Sequence, residues 1–225
     1  MSRYDAGGVD PQVGGLPVEL EIGYRRFRSN RYATERERYR QLGEGLQRPG
    51  SMVIACSDSR SSPEAVFDAG PGELFVLRNV AALVPLYEPD GRSHAASAAL
   101  EFAVLALGVR SIVVMGHGRC GGIRAAIEET SPLSATDFIG TWVTGVRELA
   151  RDRDPSASDD PAPRLRALEH RSVERSVEHL RTFPWIAARE DAGSLRLHGA
   201  WFDIALGELH VLGDAGWSLT PESTP

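Results

Sequence analysis

Two short stretches of the sequence hold residues that could bind a metal ion and support chemistry on it. The first, CSDSR at 56–60, offers the thiol of Cys56, and the second, HGRCGG at 117–122, offers the imidazole of His117 and the thiol of Cys120. Two thiolates and one imidazole suit Zn²⁺ and leave a fourth coordination position for chemistry. A disulfide between the two cysteines is the alternative, but a reducing cytoplasm favours metal binding or catalysis.

An acid and a cation stand beside the first thiol. Asp58 and Arg60 share the turn that follows Cys56, and an arginine can bind a carboxylate through two parallel hydrogen bonds. The fourth metal ligand is then water or Asp58: the metal keeps its water if Arg60 holds Asp58, and the site closes if Asp58 moves to the metal. Zinc lowers the pKa of bound water to about 7 in sites of this kind. We therefore expect hydroxide near neutral pH, with ionised Asp58 accepting its hydrogen.

Each of these features alone has a plain structural explanation. A free cysteine is common in protein cores, and an acid–arginine pair in a turn is usually a surface salt bridge. The metal interpretation depends on their combination, which uses both cysteines of the chain at the ends of two predicted strands. We interpret the other histidines as surface or structural groups; they are His94, His170, His179, His198 and His210.

Predicted strands position both stretches. Apolar runs at 51–55 and 111–115 end just before Cys56 and His117, and such runs are typical of buried parallel strands. Ligands gather beyond the carboxyl ends of parallel strands, so these two side chains emerge at one edge if the strands are neighbours. The second loop is rich in glycine and can bend tightly, and the start of the following helix favours a thiolate at Cys120.

The order of the predicted elements indicates an α/β fold. Strands alternate with helices, which is typical of a mainly parallel sheet with helices on its faces. The predicted strands are 51–55, 73–77, 111–115, 194–198 and 208–212, and Gly207 predicts a hairpin before the last of them. The predicted helices are 18–29, 33–46, a short one opening at 62–64, 93–107, 121–129, 136–151 and 165–181, with a loop at 153–163.

These elements predict one domain with a helical arm. The predicted parts are a flexible N-terminal tail (1–15), a single domain (16–213) that includes a helical arm (16–46), and a C-terminal tail (214–225). The two charged helices of the arm precede the first predicted strand and need a surface to lie on. We expect the arm to pack against a second subunit.

The composition excludes several classes of protein. With 225 residues, 42% of them hydrophobic, the chain can bury one sizeable core. A formal net charge of −6 argues against a general nucleic-acid binder. We find no apolar run near the roughly 20 residues that span a bilayer and no apolar signal-peptide core. We therefore expect a cytoplasmic protein with neither a nucleic-acid nor a membrane partner.

The motifs resemble those of the β-class carbonic anhydrases. Beside 56–60 and 117–122, the resemblance includes PGELFVLRN at 71–79, HGAWFDI at 198–204 and GEL at 207–209. It covers most of residues 18–213. The fold that it implies is a central five-stranded sheet with four parallel strands and one antiparallel edge strand. The resemblance also implies a homodimer or a dimer-based higher oligomer, with pockets at the subunit interface and N-terminal helices embracing the partner.

The resemblance also implies roles for particular residues. One zinc ion per subunit would lie on Cys56, His117 and Cys120, with Asp58 as the exchangeable fourth ligand and Arg60 as its switch partner.

The substrate pocket is implied in the same way. Gln47 would donate a side-chain amide hydrogen to a substrate oxygen, and Phe75 and Val80 match apolar pocket positions. Phe102 stands where plant-like members carry Tyr, so a hydroxyl contact there is absent. Val53 stands where a bicarbonate-inhibited subgroup carries Trp, which favours the uninhibited, open type.

The resemblance implies reversible hydration of CO₂ to bicarbonate and a proton, the activity of a carbonate dehydratase (a lyase). One alternative is a hydrolase that acts on a CO₂ analogue, carbonyl sulfide or carbon disulfide, on the same scaffold. The other is a non-enzymatic, zinc-stabilised sensor or binding protein whose fourth position stays closed by Asp58. The presence of Arg60 argues against the last, because a permanent ligand needs no switch partner.

Overall fold

The structure, a computed structural model, describes residues 12–13, 15–128, 132–152 and 160–221. Most of the predicted N-terminal tail and most of the predicted loop at 153–163 lie outside these residues. The chain divides into two compact units, Met1–Gln47 and Arg48–Pro225.

The N-terminal unit is mainly helical. Its elements are strands β1 (Gln12–Val13) and β2 (Leu16–Pro17), which pair antiparallel, and helices α1 (Val18–Ser29), α2 (Arg31–Thr34) and α3 (Arg36–Glu44). Phe27, Tyr32 and Tyr39 form an aromatic cluster with ring centroids 5.5 to 6.0 Å apart. Every residue of these three helices is at least partly exposed. The helix predicted at 18–29 is confirmed as α1. In place of the single helix predicted at 33–46, the structure has the two shorter helices α2 and α3.

A mixed sheet forms the centre of the second unit. Its described strands are β3 (Ser51–Cys56), β4 (Leu74–Asn79), β5 (Ser111–His117), β6 (Arg196–Asp203), β7 (Glu208–Gly213) and β8 (Gly216–Leu219). They lie in the order β4-β3-β5-β6-β7-β8. The first four run parallel, and β7 and β8 are antiparallel to their neighbours. The predicted α/β fold with a mainly parallel sheet is confirmed.

The helices of this unit connect the strands. They are α4 (Pro63–Val66), α5 (Ala95–Glu101), α6 (Gly121–Ile127), α7 (Phe138–Trp142), α8 (Thr144–Arg151), α9 (Pro161–Leu180) and α10 (Pro184–Asp191), with a 3₁₀ turn at Val80–Ala82 and a π-helical turn at Phe102–Ala106. Among the described residues, no helix has both the length and the apolar character needed to cross a membrane.

The sheet has one antiparallel strand more than the five-stranded prediction allowed. Strand β8 lies within the segment predicted as a C-terminal tail, and it turns back from β7 through Gly216, whose φ is +97°. Trp217 fastens it by donating its indole N–H to Glu174 Oε1 at 2.6 Å. A strand as short as Gly216–Leu219 gives little periodicity to recognise. The hairpin predicted at Gly207, by contrast, joins β6 and β7, and Gly207 has a φ of +72°.

Helix α9 packs closely on the parallel strands that lead to the metal-binding motifs. Its Val173 and Val177 belong to the same buried core as Ile54 and Ile112. A Cβ atom placed on Gly116 of β5 would stand only 2.6 Å from a Val173 methyl carbon. Glycine at 116 therefore lets the helix approach the end of β5, where His117 is the last residue.

His170 of α9 is enclosed by two tryptophans. Its ring stacks on Trp217 at a centroid distance of 4.3 Å and meets the edge of Trp201 at 4.9 Å. Burial, helped by the charges of Arg166 and His210, lowers the pKa of His170 to about 4. An unfolded histidine has a pKa near 6.5, so the unfolded chain takes up this proton first as the pH falls.

We therefore expect His170 to make the folded protein less stable as the pH falls from about 6.5 to about 4. Between about pH 7 and pH 4.5, the free energy of unfolding of wild type should fall by about 2 kcal/mol more than that of His170→Phe. Denaturant unfolding of both metal-free proteins at the two pH values measures the difference. Each loss is taken relative to the same protein's value at pH 7, which removes the effect of the changed packing. An equal loss in both proteins would contradict the expectation.

Candidate metal centre

The structure brings the three predicted metal ligands together. Cys56 ends β3 and His117 ends β5, and these neighbouring parallel strands pair in register, with Ala55 opposite Met115. Cys120 stands at the N-terminus of α6. One ligand atom from each of the three residues lies within 4.8 Å of the others. All three side chains are buried.

The donor atoms fit a metal ion. His117 Nδ1 hydrogen-bonds the carbonyl oxygen of Gly118 at 3.0 Å, whereas Nε2 is buried without a hydrogen-bond partner among the described residues. A buried imidazole nitrogen without a partner costs folding free energy, and a metal ion bound to Nε2 would supply that partner. Both cysteines are free thiols with their sulfur atoms 3.9 Å apart, so the alternative disulfide is not formed. Two sulfurs and an imidazole nitrogen are ligands that zinc prefers.

The surroundings of the two sulfurs favour one thiolate before any metal binds. A hydrogen bond shared with the Cys120 thiol lowers the pKa of Cys56, and backbone N–H groups of Asp58 and Ala81 add to the effect. The same hydrogen bond between the two cysteines, together with burial, raises the pKa of Cys120. Burial lowers the pKa of His117, but the adjacent Cys56 thiolate and the Gly118 carbonyl oxygen outweigh this effect and leave the pKa raised. Metal binding must therefore displace a proton from Cys120.

The loop between His117 and Cys120 bends through a left-handed residue. Arg119 has a φ of +58°, a conformation that residues other than glycine adopt at a cost. Gly118 lies directly against the indole of Trp201, since an added Cβ would come within 3.1 Å of the ring. Its N–H donates to the carbonyl oxygen of Phe202 at 2.9 Å.

Asp58 and Arg60 form a forked ion pair beside the three ligands. Arg60 donates from Nε to Oδ1 at 2.9 Å and from Nη2 to Oδ2 at 2.7 Å, and its backbone N–H reaches Oδ1 at 3.0 Å. These hydrogen bonds hold the pKa of Asp58 well below its usual range. Asp58 Oδ2 lies 3.9 Å from His117 Nε2. The carboxylate therefore lies next to the three metal-ligating side chains while Arg60 holds it.

Two residues that the sequence analysis did not single out support the ligands. Arg78 of β4 donates to the carbonyl oxygens of Cys56 and Asp58, at 2.9 and 2.5 Å, and so holds the turn after β3. Glu169 of α9 is 3% exposed and accepts the N–H of Cys120 at 2.9 Å. Burial raises the pKa of Glu169.

A sequence signal for Glu169 did exist. It shares the buried face of α9 with Ser172, Val173 and Ser176, at the spacing of three, four and seven residues that marks one side of a helix. A carboxylate on an inward face needs a partner, which is a reason to ask what it binds.

Of the four predicted pocket residues, Phe75 and Phe102 are in contact with each other. Phe75 of β4 and Phe102, the first residue of the π-helical turn, pack with ring centroids 5.9 Å apart. Val80 follows β4 and is 38% exposed, and its carbonyl oxygen accepts the indole N–H of Trp142 at 2.8 Å. Gln47 is exposed and is the last residue of the N-terminal unit.

The known sequences that resemble this chain are carbonic anhydrases. Residues 51–209, which include all three metal ligands, match the family described as "Carbonic anhydrase". The chain is 35% identical over 193 residues to the carbonic anhydrase of Pseudomonas aeruginosa, covering 86% of each sequence. It is 38% identical over 178 residues to the chloroplastic β carbonic anhydrase 5 of Arabidopsis thaliana, covering 79% of this chain and 58% of the relative. The chain therefore spans a little over half of that plant protein.

Solved structures resemble the fold over most of its length. The β-carbonic anhydrase CcaA aligns with a TM-score of 0.82 at 26% identity, covering 91% of this chain and 98% of the other. The Coccomyxa β-carbonic anhydrase in complex with acetazolamide aligns with a TM-score of 0.73 at 27% identity, covering 87% and 85%. A tetrameric β-carbonic anhydrase of Sordaria macrospora gives 0.70 at 27% identity, covering 90% and 94%.

Proposed function

Because the chain belongs to the β-class carbonic anhydrases, we propose that it catalyses the reversible hydration of carbon dioxide to bicarbonate and a proton. The observation that carries this proposal is the buried group of Cys56, His117 and Cys120 with the Asp58–Arg60 pair beside it. Three side chains that suit zinc lie together, and the carboxylate of Asp58 lies beside them.

The chain's own atoms define what zinc would meet. Cys56 Sγ, Cys120 Sγ and His117 Nε2 would hold the ion, and their two thiolate charges would balance its double charge. When bound, zinc in a three-ligand site of this kind acidifies a coordinated water to a pKa of about 7 and so supplies a nucleophile near neutral pH. The hydrogen bond from His117 Nδ1 to Gly118 fixes the ring orientation and leaves Nε2 as the ligand atom.

Asp58 would act on the attacking water. Its low pKa keeps it ionised at neutral pH, so it can accept a hydrogen bond from the water and direct a lone pair toward the substrate carbon. Arg60 holds it in that position. If the pair opened, Asp58 could take the fourth coordination position and close the site. A sensor with a permanently closed site is disfavoured, because Arg60 binds both carboxylate oxygens.

The pocket would suit a small apolar substrate. We propose that Phe75, Phe102 and Val80 supply apolar contacts to the substrate. A separate proposal, which rests on the resemblance of the motifs alone, is that Gln47 donates to a substrate oxygen. The contact between the rings of Phe75 and Phe102 and the exposure of Phe102 and Val80 support these apolar contacts.

A stopped-flow assay of CO₂ hydration tests the proposal. The zinc-loaded protein should accelerate hydration, and the same protein stripped of metal should not. Carbonyl sulfide and carbon disulfide, assayed in parallel, give the relative preference among the three gases. Hydration at the uncatalysed rate by zinc-loaded protein would refute the function, and faster turnover of a sulfur compound than of CO₂ would reassign the substrate.

We further propose a homodimer, or a higher oligomer built from dimers, located in the cytoplasm. Leu20, Ile22 and Tyr24 of α1 are 49 to 60% exposed, and a second subunit would cover such apolar side chains. Sedimentation velocity tests the oligomeric state, and cell fractionation tests the location, since one relative is named chloroplastic.

A further inference from the structure

We propose that Glu169 is a positioning residue of the zinc centre, which holds Cys120 in place by clamping the left-handed turn at Arg119. The inference rests on the zinc site of the proposed function and adds a residue that neither the motifs nor the ligand set includes.

Both oxygens of Glu169 are engaged inside the protein. Oε1 accepts the backbone N–H of Cys120 at 2.9 Å, and Oε2 accepts the indole N–H of Trp201 at 3.1 Å. Glu169 is 3% exposed and Trp201 is 2% exposed. Hydrogen bonds to a carboxylate are stronger than those between neutral groups. Because both side chains are almost completely buried, water cannot easily replace these hydrogen bonds.

The two partners of Glu169 belong to the two ends of the same turn, because Cys120 ends it and Trp201 contacts Gly118 at its start. Gly118 rests on the Trp201 ring and donates its N–H to Phe202 O, so strand β6 holds the start of the turn. Glu169 holds its end at Cys120. The indole N–H of Trp201 joins the two supports, because it donates to the same carboxylate.

Between these supports lies the strained residue. Arg119 has a φ of +58°, and a non-glycine residue keeps such a conformation only where its surroundings impose it. If the bond from Cys120 to Glu169 were lost, Arg119 could relax. The peptide that carries Cys120 would then rotate and move its sulfur from its position 3.9 Å from that of Cys56.

Glu169→Gln tests the clamp with little change of shape. An amide has one oxygen, so its NH₂ group must face one of the two N–H donors. We expect the zinc affinity, measured by competition with a chromophoric chelator, to fall about 10- to 100-fold, as is typical when support of a ligand is lost. The absorption spectrum of the Co²⁺-substituted protein should shift as well, because the geometry of the thiolate ligand changes.

The chain offers a matched control on the same helix. Glu174 accepts the indole N–H of Trp217 at 2.6 Å, which makes a second glutamate–tryptophan pair that touches no metal ligand among the described residues. Glu174→Gln should lower stability while zinc affinity stays within about 2-fold of wild type. Equal zinc affinities in the two variants would overturn the proposal, because Glu169 would then serve stability alone.

A rescue separates positioning from general destabilisation. Glycine adopts a left-handed φ without the cost that arginine bears, so adding Arg119→Gly to Glu169→Gln should restore most of the lost zinc affinity. Failure of this rescue would overturn the proposal. If Glu169→Gln does not fold, Glu169→Asp, whose shorter side chain cannot reach both donors, replaces it with the same expectations. Wild-type protein that bound no zinc would instead refute the zinc centre itself.

Discussion

Cys120→Ser is expected to lower zinc affinity by more than about 100-fold, which is more than the loss of a supporting contact costs, and to abolish CO₂ hydration with it. The reason is that a serine hydroxyl stays protonated where a thiolate is needed. Because Cys120 is buried in an apolar cluster beside Ile123 and Val143, water is poorly placed to take over as a ligand. Equilibrium dialysis with metal analysis measures the affinity, and stopped-flow measures the rate.

The same substitution should remove the stabilisation that zinc gives to the fold. A ligand present at 1,000 times its dissociation constant stabilises the folded state by about 4 kcal/mol. We expect wild type to gain about this amount from zinc and Cys120→Ser to gain at most about 1.4 kcal/mol at the same zinc concentration, because its affinity is more than about 100-fold lower. The two metal-free proteins should unfold at similar denaturant concentrations under reducing conditions. A variant that zinc stabilised as strongly as wild type would contradict the assignment of Cys120 as a ligand.

Arg60→Ala is expected to keep zinc yet lower CO₂ hydration by at least about 100-fold, the lower end of what a positioned acid or base contributes. The substitution removes two side-chain hydrogen bonds to Asp58 and leaves the carboxylate free to turn toward the metal. Its pKa would rise only toward the usual value near 3.9. Asp58 would therefore remain ionised at pH 7, and the loss of activity could not come from its protonation.

The Co²⁺-substituted Arg60→Ala protein should report the closed site directly. Its visible spectrum should be that of a site without an exchangeable ligand, and it should no longer change when azide is added. Arg92→Ala is the matched control, because Arg92 pairs with Asp90 at the surface and should leave both rate and spectrum unchanged. Full turnover by Arg60→Ala would show that the switch model is wrong.

The metal ligands could be predicted because the chain places them where a simple rule applies. Cys56 directly follows one apolar run and His117 follows another after a single glycine, and buried parallel strands gather such residues at one edge of a sheet. Arg78 lies at the carboxyl end of β4, which runs parallel to β3, and therefore obeys the same rule. Glu169 obeys no such rule. Glu169 reaches Cys120 across 49 residues of sequence, and only the packing of α9 on β5 and β6 brings the two together.

Local patterns also fail where an element changes type without a change in composition. The helix predicted at 93–107 begins as α5, but at Phe102 it widens into a π-helical turn that ends at Ala106. Both forms bury similar residues at similar spacing, so apolar periodicity cannot separate them. The widening matters because Phe102 is one of the proposed pocket residues and its ring meets Phe75.

The short separation of the two sulfurs has a consequence for the newly made protein. At 3.9 Å they need to approach by only about 2 Å to reach bonding distance, so we expect a chain that folds before it acquires zinc to be open to oxidative inactivation. Bound metal would protect both thiols at once. The yield of active enzyme in a cell should therefore depend on metal supply and on the thiol-reducing capacity of the compartment together.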